Sequence, residues 1–394
     1  MSSESRNRYL LKNTLIFTLG NIGSRMISFF LIPLYTNVLT TSQYGTVDLI
    51  TTISTVAGPM LTLNIAESVM RFGLDKDADK EKNTQCGSIV LLIAMIIGLV
   101  LIPICRCITE VSDYAMYVYF YVISLSASQL FLCDLRGKEL LLKYSLGNIL
   151  QTLMIAILNI TFLLVFKMET GGYLLAYIIA NFIVAIYAII AGKGYKAFSF
   201  HNIDRCKLKE MIRYSVVLIP NTFMWWIMNS SDRVMVTYMI GAAANGIYAV
   251  SYKLPTLVST LTGIFNQAWS YSAIREEGTS DETEYNNKMF KTLSAIAFMM
   301  GIGLLLLTKP FLGVYVADSY YDAWKYTPFL IIGCVYLTLG TFMATSYTVH
   351  KDSFGYLFSG SFGAAFNILL NFILIPVIGA VSYTHLTLPT NSLV

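Results

Sequence analysis

Four ionisable residues, Arg25, Asp232, Arg233 and Lys253, lie inside otherwise apolar runs of the sequence. Charged side chains in such runs usually face the interior of a helix bundle or a water-filled cavity. Three of the four are basic, and the planar donor fork of arginine suits phosphate well. These residue types therefore predict a basic cavity that binds an anion. The alternative is a set of buried ion pairs that hold helices together.

The spacing of these residues predicts how they pair. Asp232 and Arg233 are adjacent, and adjacent residues of a helix do not share a face. We therefore expect Asp232 to reach Lys253 on the following helix, which would leave Arg233 free to face a cavity. At 1.5 Å per residue, Arg233 and Lys253 both lie roughly 10 Å from the outer ends of their helices, and Arg25 lies about 18 Å into the first helix.

The elements that carry these residues are membrane-spanning helices. The chain has 394 residues, of which 56% are hydrophobic and 13% are charged, whereas soluble domains carry about 25% charged residues. Apolar runs of about 18 residues or more, each long enough to cross the hydrocarbon core, recur throughout. The sequence predicts an all-α polytopic membrane protein with eleven spans. They lie near residues 13–38, 46–70, 86–105, 114–133, 145–166, 172–191, 214–239, 246–271, 289–308, 327–348 and 354–376.

The distribution of lysine and arginine predicts the orientation of these spans. Twenty of them fall in the N-terminal tail and the loops on the same side as that tail, and only four fall on the opposite side. Loops rich in lysine and arginine stay in the cytoplasm. We therefore expect a multi-pass protein with a cytoplasmic N-terminus.

Two short hairpins resemble each other and indicate an internal repeat. Residues 38–49 link the first two spans and residues 239–250 link the seventh and eighth. Both lack lysine and arginine, and both carry a glycine, Gly45 or Gly246, just before the returning helix. Repeats in the same orientation are typical of transporters, although any two outer hairpins could share such features.

The repeat predicts two pseudo-symmetric lobes around a central cavity, with six of the predicted spans in the first lobe and five in the second. Residues 1–191 would form the N-terminal lobe and residues 214–380 the C-terminal lobe. The basic segment of residues 192–213 would be the cytoplasmic loop between them.

Other residues have two interpretations. Glu67 and Arg71 are four apart and predict a local helix pair, while Glu67 and Asp232 are also candidate charge partners or proton carriers. Trp225 and Trp226 could stack on sugar rings, but core packing is favoured. Asp48 lies near the outer surface and is expected to be solvated.

The sequence shows no pattern of residues that is typical of a catalytic site or a metal site. The six cysteines are scattered and show no metal-binding spacing with the three histidines, so they read as small apolar packing residues. We expect no cofactor, no metal and no catalytic residues, and no nucleic acid as a partner.

Three segments resemble a known family. "NTLIFTLGNIGSRMISFFLIPLYTNVLTTSQYGTVDL" (13–49), "NSSDRVMVTYMIGAAANGIYAVSYKL" (229–254) and "NILLNFILIPVIGA" (367–380) are similar to segments of the polysaccharide-transport flippases. These flippases carry O-antigen, capsule and teichoic-acid-type units and belong to the multidrug/oligosaccharidyl-lipid/polysaccharide exporter superfamily.

The resemblance implies a function. It implies two six-helix lobes, alternating access, and export of an undecaprenyl-pyrophosphate-type oligosaccharide across the bacterial cytoplasmic (inner) membrane. Arg25, Arg233 and Lys253 would contact the anionic headgroup. Membrane lipid and the glycan polymerase or ligase machinery are the expected further partners.

Two alternatives stay open at this point. A multidrug exporter of the same superfamily would be expected to place carboxylates in its cavity. A membrane glycan polymerase or acyltransferase would need catalytic side chains in a substantial loop or cavity, and the longest outer loop, residues 309–326, contains no histidine.

The final residues, "VSYTHLTLPTNSLV" (381–394), depart from the family pattern. They turn polar where small apolar residues would open a twelfth span, and they resemble translated adapter sequence. We expect a non-native tail and a truncated second lobe; a native short tail is the alternative.

Overall fold

The structure, a computed structural model, describes residues 26–75, 77–107, 110–198, 203–276, 282–349 and 352–378. Within these residues the regular structure is entirely helical, which confirms the predicted all-α fold. The helices are α1 (Ile32–Val38), α2 (Thr41–Leu61), α3 (Ile65–Gly73), α4 (Lys80–Arg106), α5 (Ala115–Gly137), α6 (Leu141–Ile160), α7 (Glu169–Ala191), α8 (Arg205–Met239), α9 (Ala242–Ser251), α10 (Pro255–Glu276), α11 (Glu282–Tyr315), α12 (Thr327–Val349) and α13 (Ser353–Ile378).

Each predicted span coincides with one of these helices or with a broken pair of them, as far as the described residues extend. Six helical segments among these residues are long and apolar enough to cross a membrane, or seven if the bent pair α2–α3 counts as one span. The long helix α8 is not among them because polar and charged residues lower its hydropathy. The cytoplasmic position of the N-terminus stays a prediction.

Two of the predicted spans are broken. Helices α2 and α3 meet at a bend of 61°, and Leu63 and Asn64 at this bend adopt left-handed backbone angles, with φ of 53° and 54°. Helices α9 and α10 are separated by the turn 252–254. Pro255 then begins α10, a position at which proline is favoured because its missing N–H would be unpaired there anyway.

The chain forms two compact units. Unit 1 comprises residues 1–34 and 50–222, and unit 2 comprises residues 35–49 and 223–394. The first hairpin therefore belongs to unit 2, and the chain passes from one unit to the other within α8 rather than in the basic loop 192–213. The assignment of residues 1–191 and 214–380 to two membrane lobes stays a prediction, and residues 381–394 lie outside the described residues.

A large apolar core joins helices of unit 1. It is formed by buried side chains of α3, α4, α5 and α7, among them Ile65, Val90, Leu135 and Val184, and by Met211 of α8. Two basic side chains close the C-terminal end of α7: Lys138 Nζ donates to Gly192 O at 2.9 Å and Lys143 Nζ donates to Ala191 O at 2.7 Å. Cations are favoured there because the last carbonyls of a helix lack partners.

Unit 2 has several smaller apolar clusters. Trp269 of α10 stacks on Phe342 of α12 with ring centroids 4.7 Å apart, and Leu293 of α11 packs in the same cluster. A second cluster holds Val258 and Cys334. These contacts join α10, α11 and α12.

The first hairpin is packed tightly into unit 2. A Cβ on Gly45 would lie 2.7 Å from the carbonyl carbon of Ala242 and 2.8 Å from the nitrogen of Gly246, and a Cβ on Gly246 would clash with Thr41 O. The two glycines noted as equivalent repeat positions thus lie against each other, and each lets the other helix approach. The Tyr320 hydroxyl also donates to Leu39 O at 2.9 Å.

Candidate functional site

A buried charged cluster lies where the first hairpin meets α8 and α9 in unit 2. Arg233 Nη1 of α8 donates to Asp48 Oδ1 of α2 at 3.0 Å, with side-chain exposures of 19% and 6%. The amide of Asn245 in α9 donates to Gly45 O at 2.9 Å and to Asp48 Oδ2 at 3.4 Å. Asp48 is therefore held by both α8 and α9, and the prediction that it is solvated is wrong.

Asp232 has a different partner from its neighbour Arg233. The Tyr248 hydroxyl of α9 donates to Asp232 Oδ2 at 2.5 Å, and Asp232 is 1% exposed. Adjacent positions on a helix do not share a face, and the two side chains accordingly have different hydrogen-bond partners. The predicted pairing is wrong, however: Asp232 bonds to Tyr248 rather than to Lys253, and Arg233 is paired rather than free. The physical reason is that helix packing brings Asp48 of α2 to Arg233 and Tyr248 of α9 to Asp232.

Lys253 lies in the turn between α9 and α10, beside this cluster. Its ammonium interacts electrostatically with Asp48 and Arg233 and forms no ion pair or hydrogen bond with any residue that the structure describes. The ring of its neighbour Tyr252 lies under the Arg233 guanidinium, with 5.3 Å between the ring centroid and Arg233 Cζ. Asp48, Asp232, Arg233 and Lys253 together carry no net formal charge, so the cluster is balanced rather than strongly basic.

A polar cavity of about 760 Å³ lies within unit 1. It is bounded by the α2–α3 break, α5, α6 and α8. Ten of its sixteen lining residues are polar, which is unusual between apolar helices. The polar lining residues are Asn64, Glu67, Ser128, Gln129, Tyr144, Asn148, Gln151, Tyr214, Asn221 and Thr222.

Hydrogen bonds between helices frame this cavity. Asn64 Nδ2, at the α2–α3 break, donates to Thr222 Oγ1 of α8 at 3.4 Å. Gln151 Nε2 of α6 donates to Asn181 Oδ1 of α7 at 2.6 Å. The side chains of Glu67, Gln129 and Asn221 have no hydrogen-bond or ion-pair partner among the described residues. These three groups are therefore open to a ligand or to water.

Glu67 does not form the predicted pair with Arg71. Arg71 Nη1 instead donates to Asp75 Oδ1 at 2.7 Å, where both side chains are about half exposed. Glu67 stays in the first turn of α3 and lines the cavity. The prediction missed this because Asp75 competes for the same arginine at the same four-residue spacing.

Residues 10–271 of the chain match the model of a family described as polysaccharide biosynthesis protein. The chain belongs to this family. The match covers both the charged cluster and the cavity of unit 1, and it confirms the resemblance found in the sequence. Comparison with curated protein sequences gives no match.

Solved structures show which fold this polysaccharide biosynthesis family member has. The structure of the lipid II flippase MurJ in an inward closed conformation is similar, with a TM-score of 0.67, 12% identity, and 96% of this chain and 85% of that chain covered. An outward-facing multidrug resistance MATE family transporter of the MOP superfamily gives a TM-score of 0.61 at 13% identity, covering 96% and 90%. The Vibrio cholerae MATE transporter VcmN in its bent form gives 0.57 at 12%, covering 98% and 95%. The protein thus has the fold shared by these transporters.

The two tryptophans of this family member differ in their surroundings. Trp226 stacks on Phe223 with an interplanar angle of 9°. Trp225 is 41% exposed and lines a cavity of about 390 Å³ in unit 2, together with Thr262 and Asn266. Core packing therefore does not describe Trp225, and its stacking on sugar stays a prediction.

Arg25 lies outside the described residues. Among the residues that the structure does describe, no group of three or more histidine, cysteine, aspartate or glutamate side chains could hold a metal ion. Gln129, Asn148 and Gln151 were missed by the sequence reasoning. Their only signal was the recurrence of amide residues in apolar helices, which ordinary interhelical hydrogen bonding also explains.

Proposed function

We propose that this protein translocates a lipid-linked oligosaccharide of the undecaprenyl-pyrophosphate type across the bacterial cytoplasmic membrane, by alternating access, for cell-surface polysaccharide biosynthesis. The match of residues 10–271 to the polysaccharide biosynthesis family carries this proposal. The fold in common with a lipid II flippase supports it. The protein would make and break no covalent bond, and it would deliver its cargo to the glycan polymerase or ligase machinery.

The chemistry of such a cargo sets three requirements. Its lipid tail needs an apolar surface, its pyrophosphate needs cations, and its hydroxyl-rich glycan needs a polar interior. The apolar helices and the polar cavity of unit 1 are consistent with the first and third requirements. Lys253, which has no ion-pair partner among the described residues, supports the second.

The headgroup would contact Lys253 and Arg25. Arg233 would join them only if phosphate replaced Asp48 as its partner, because the ion pair with Asp48 now holds its guanidinium. Asp232, bonded to Tyr248, is better suited to hold α8 and α9 together than to carry protons.

A multidrug exporter of the same superfamily is the second candidate. The carboxylate of Glu67, open to the cavity of unit 1, favours this alternative because a cation-coupled exporter needs an acidic group that can bind a cation. Glu67 is therefore the proposed cation carrier under that alternative.

Complementation tests the two candidates against each other. We would express the protein in a strain that lacks its own oligosaccharide flippase and measure surface polysaccharide. Restored polysaccharide that is lost in Lys253→Ala at equal membrane levels, and retained in the control Lys325→Ala, supports glycolipid export. Lys325 is a suitable control because it pairs with Asp322 at an exposed site. Drug resistance without restored polysaccharide would favour the multidrug exporter.

A further inference from the structure

The cavity of unit 1 has the size of a ligand site. Ligand sites in proteins typically have volumes of about 300–1,000 Å³, and this cavity of about 760 Å³ falls within that range. Polar side chains inside a membrane protein are costly unless they meet a partner or water. Glu67, Gln129 and Asn221 have no hydrogen-bond or ion-pair partner among the described residues, so their polar groups are available to a ligand or to water.

The broken helix α2–α3 forms one wall of this site. Helix α3 begins at Ile65, next to the cavity-lining Asn64, after the 61° bend. Breaks of this kind are tolerated at membrane depth where they line a cavity, and in transporters they mark ligand sites. The first turn of α3 then places Glu67 at the cavity wall.

The charge of the lining is acidic. Glu67 is the one carboxylate among the described lining residues, and they include no lysine, arginine or histidine. The nearby Arg136 stacks on Tyr144 at 5.5 Å from the ring centroid and is not itself a lining residue. The lining therefore offers amides, hydroxyls and a single negative charge.

We infer that this cavity recognises the glycan of the cargo, and that it accepts neutral or amine-bearing sugars in preference to sugars that carry a carboxylate. The inference rests on the proposed function and names the substrate class of its polar interior. The amides of Gln129 and Asn221 each offer a donor and an acceptor to sugar hydroxyls. The Glu67 carboxylate accepts from two hydroxyls or from an ammonium, but it repels a uronate because both groups are negatively charged.

Purified protein in proteoliposomes tests the inference with two cargoes. Both are undecaprenyl-pyrophosphate oligosaccharides of equal length. One contains only neutral sugars, and in the other a single neutral sugar is replaced by a hexuronate. We expect the wild type to translocate the neutral cargo at least about tenfold faster, which is the ratio that about 1.4 kcal/mol gives. The isosteric Glu67→Gln variant should bring the two rates close together.

Matched variants distinguish an effect on recognition of the cargo from an effect on folding of the protein. Glu210→Gln makes the same change at an exposed residue of α8 that pairs with Lys207, and it should keep the wild-type ratio. Gln129→Ala and Asn221→Ala should slow both cargoes and leave the ratio in place. Each variant is compared by thermal unfolding, so that a loss of rate through misfolding is recognised.

The outcomes are distinct. Equal rates for both cargoes in the wild type, or a ratio that Glu67→Gln leaves unchanged, would overturn the inference while glycolipid translocation stands. Translocation of neither cargo, in protein that unfolds cooperatively, would overturn the proposed function and this inference with it.

Discussion

The charged cluster of unit 2 and the cavity of unit 1 differ in whether their polar side chains have partners within the protein. In unit 2, Arg233 is paired with Asp48, and Asp232 is bonded to Tyr248. In unit 1, Glu67 and Gln129 face a cavity and have no partner among the described residues. The two regions therefore differ in what their polar side chains contact, although both lie between apolar helices.

This difference distinguishes polar groups that stabilise the fold from polar groups that are available to a ligand. In unit 2 the charge of Arg233 is offset by Asp48, and removing one member of a buried ion pair leaves the other charge uncompensated. Arg233 Nε, Asp232 Oδ1 and Asn245 Oδ1 are nevertheless buried without a hydrogen-bond partner among the described residues. An open carboxylate or amide contributes little to stability because it has no partner to lose. The charge of a buried residue is thus a poor indicator of a binding site. Whether that residue already has a partner within the protein is a better indicator.

The ion pair of unit 2 should give the largest loss of stability. Asp48→Ala leaves the Arg233 guanidinium without its carboxylate, and we expect the free energy of unfolding to fall by about 3–5 kcal/mol. Thermal unfolding of the purified protein in detergent measures the change. In a double-mutant cycle, Asp48→Ala and Arg233→Ala together should cost clearly less than the sum of the two; simple additivity would contradict the pairing.

Loss of the Tyr248 hydroxyl should have the next largest effect. Tyr248→Phe removes the hydrogen bond to the buried carboxylate of Asp232, and an unsatisfied buried acceptor costs about 1–3 kcal/mol. Tyr336→Phe is the matched control because its hydroxyl has no described partner and the residue is exposed. Equal melting temperatures for the two variants would argue against the bond.

The open amides of unit 1 should be nearly neutral for stability. Gln129→Ala and Asn221→Ala should change the free energy of unfolding by no more than about 0.5 kcal/mol, while translocation falls. Asn245→Ala is the matched comparison in unit 2. Its amide bonds to Gly45 O and Asp48, so stability should fall there. A large stability loss at Gln129 or Asn221 would mean that these amides hold the unit together.

The smallest effect is expected at the exposed pair of Arg71 and Asp75. Exposed pairs of this kind contribute little because water screens them. Arg71→Ala should leave both the melting temperature and translocation at the wild-type level. Reduced translocation in this variant would place Arg71, rather than Glu67, in the transport pathway.

Local sequence reasoning succeeded where a property depends on neighbouring residues. Apolar runs such as residues 172–191 predicted helices because hydrocarbon-length runs of these residues leave few alternatives. The angular offset between adjacent helix positions predicted that Asp232 and Arg233 would have different surroundings. The position of Gly45 and Gly246 before the returning helices follows from the sequence, whereas their mutual contact depends on how the two hairpins pack.

The sequence by itself determined the helical class and the approximate positions of the helices. It placed Lys253 inside a helix, whereas the structure places it in the turn 252–254 between α9 and α10. Only the tertiary structure decided the partners: Asp48 for Arg233, Tyr248 for Asp232, and none among the described residues for Glu67. The reason is physical. Helix formation depends on neighbours along the chain, whereas an ion pair between α2 and α8, separated by 185 positions, depends on how helices pack. The cavity likewise lies between five helices, α2, α3, α5, α6 and α8, so its presence depends on their packing and cannot be read from any one segment of the sequence.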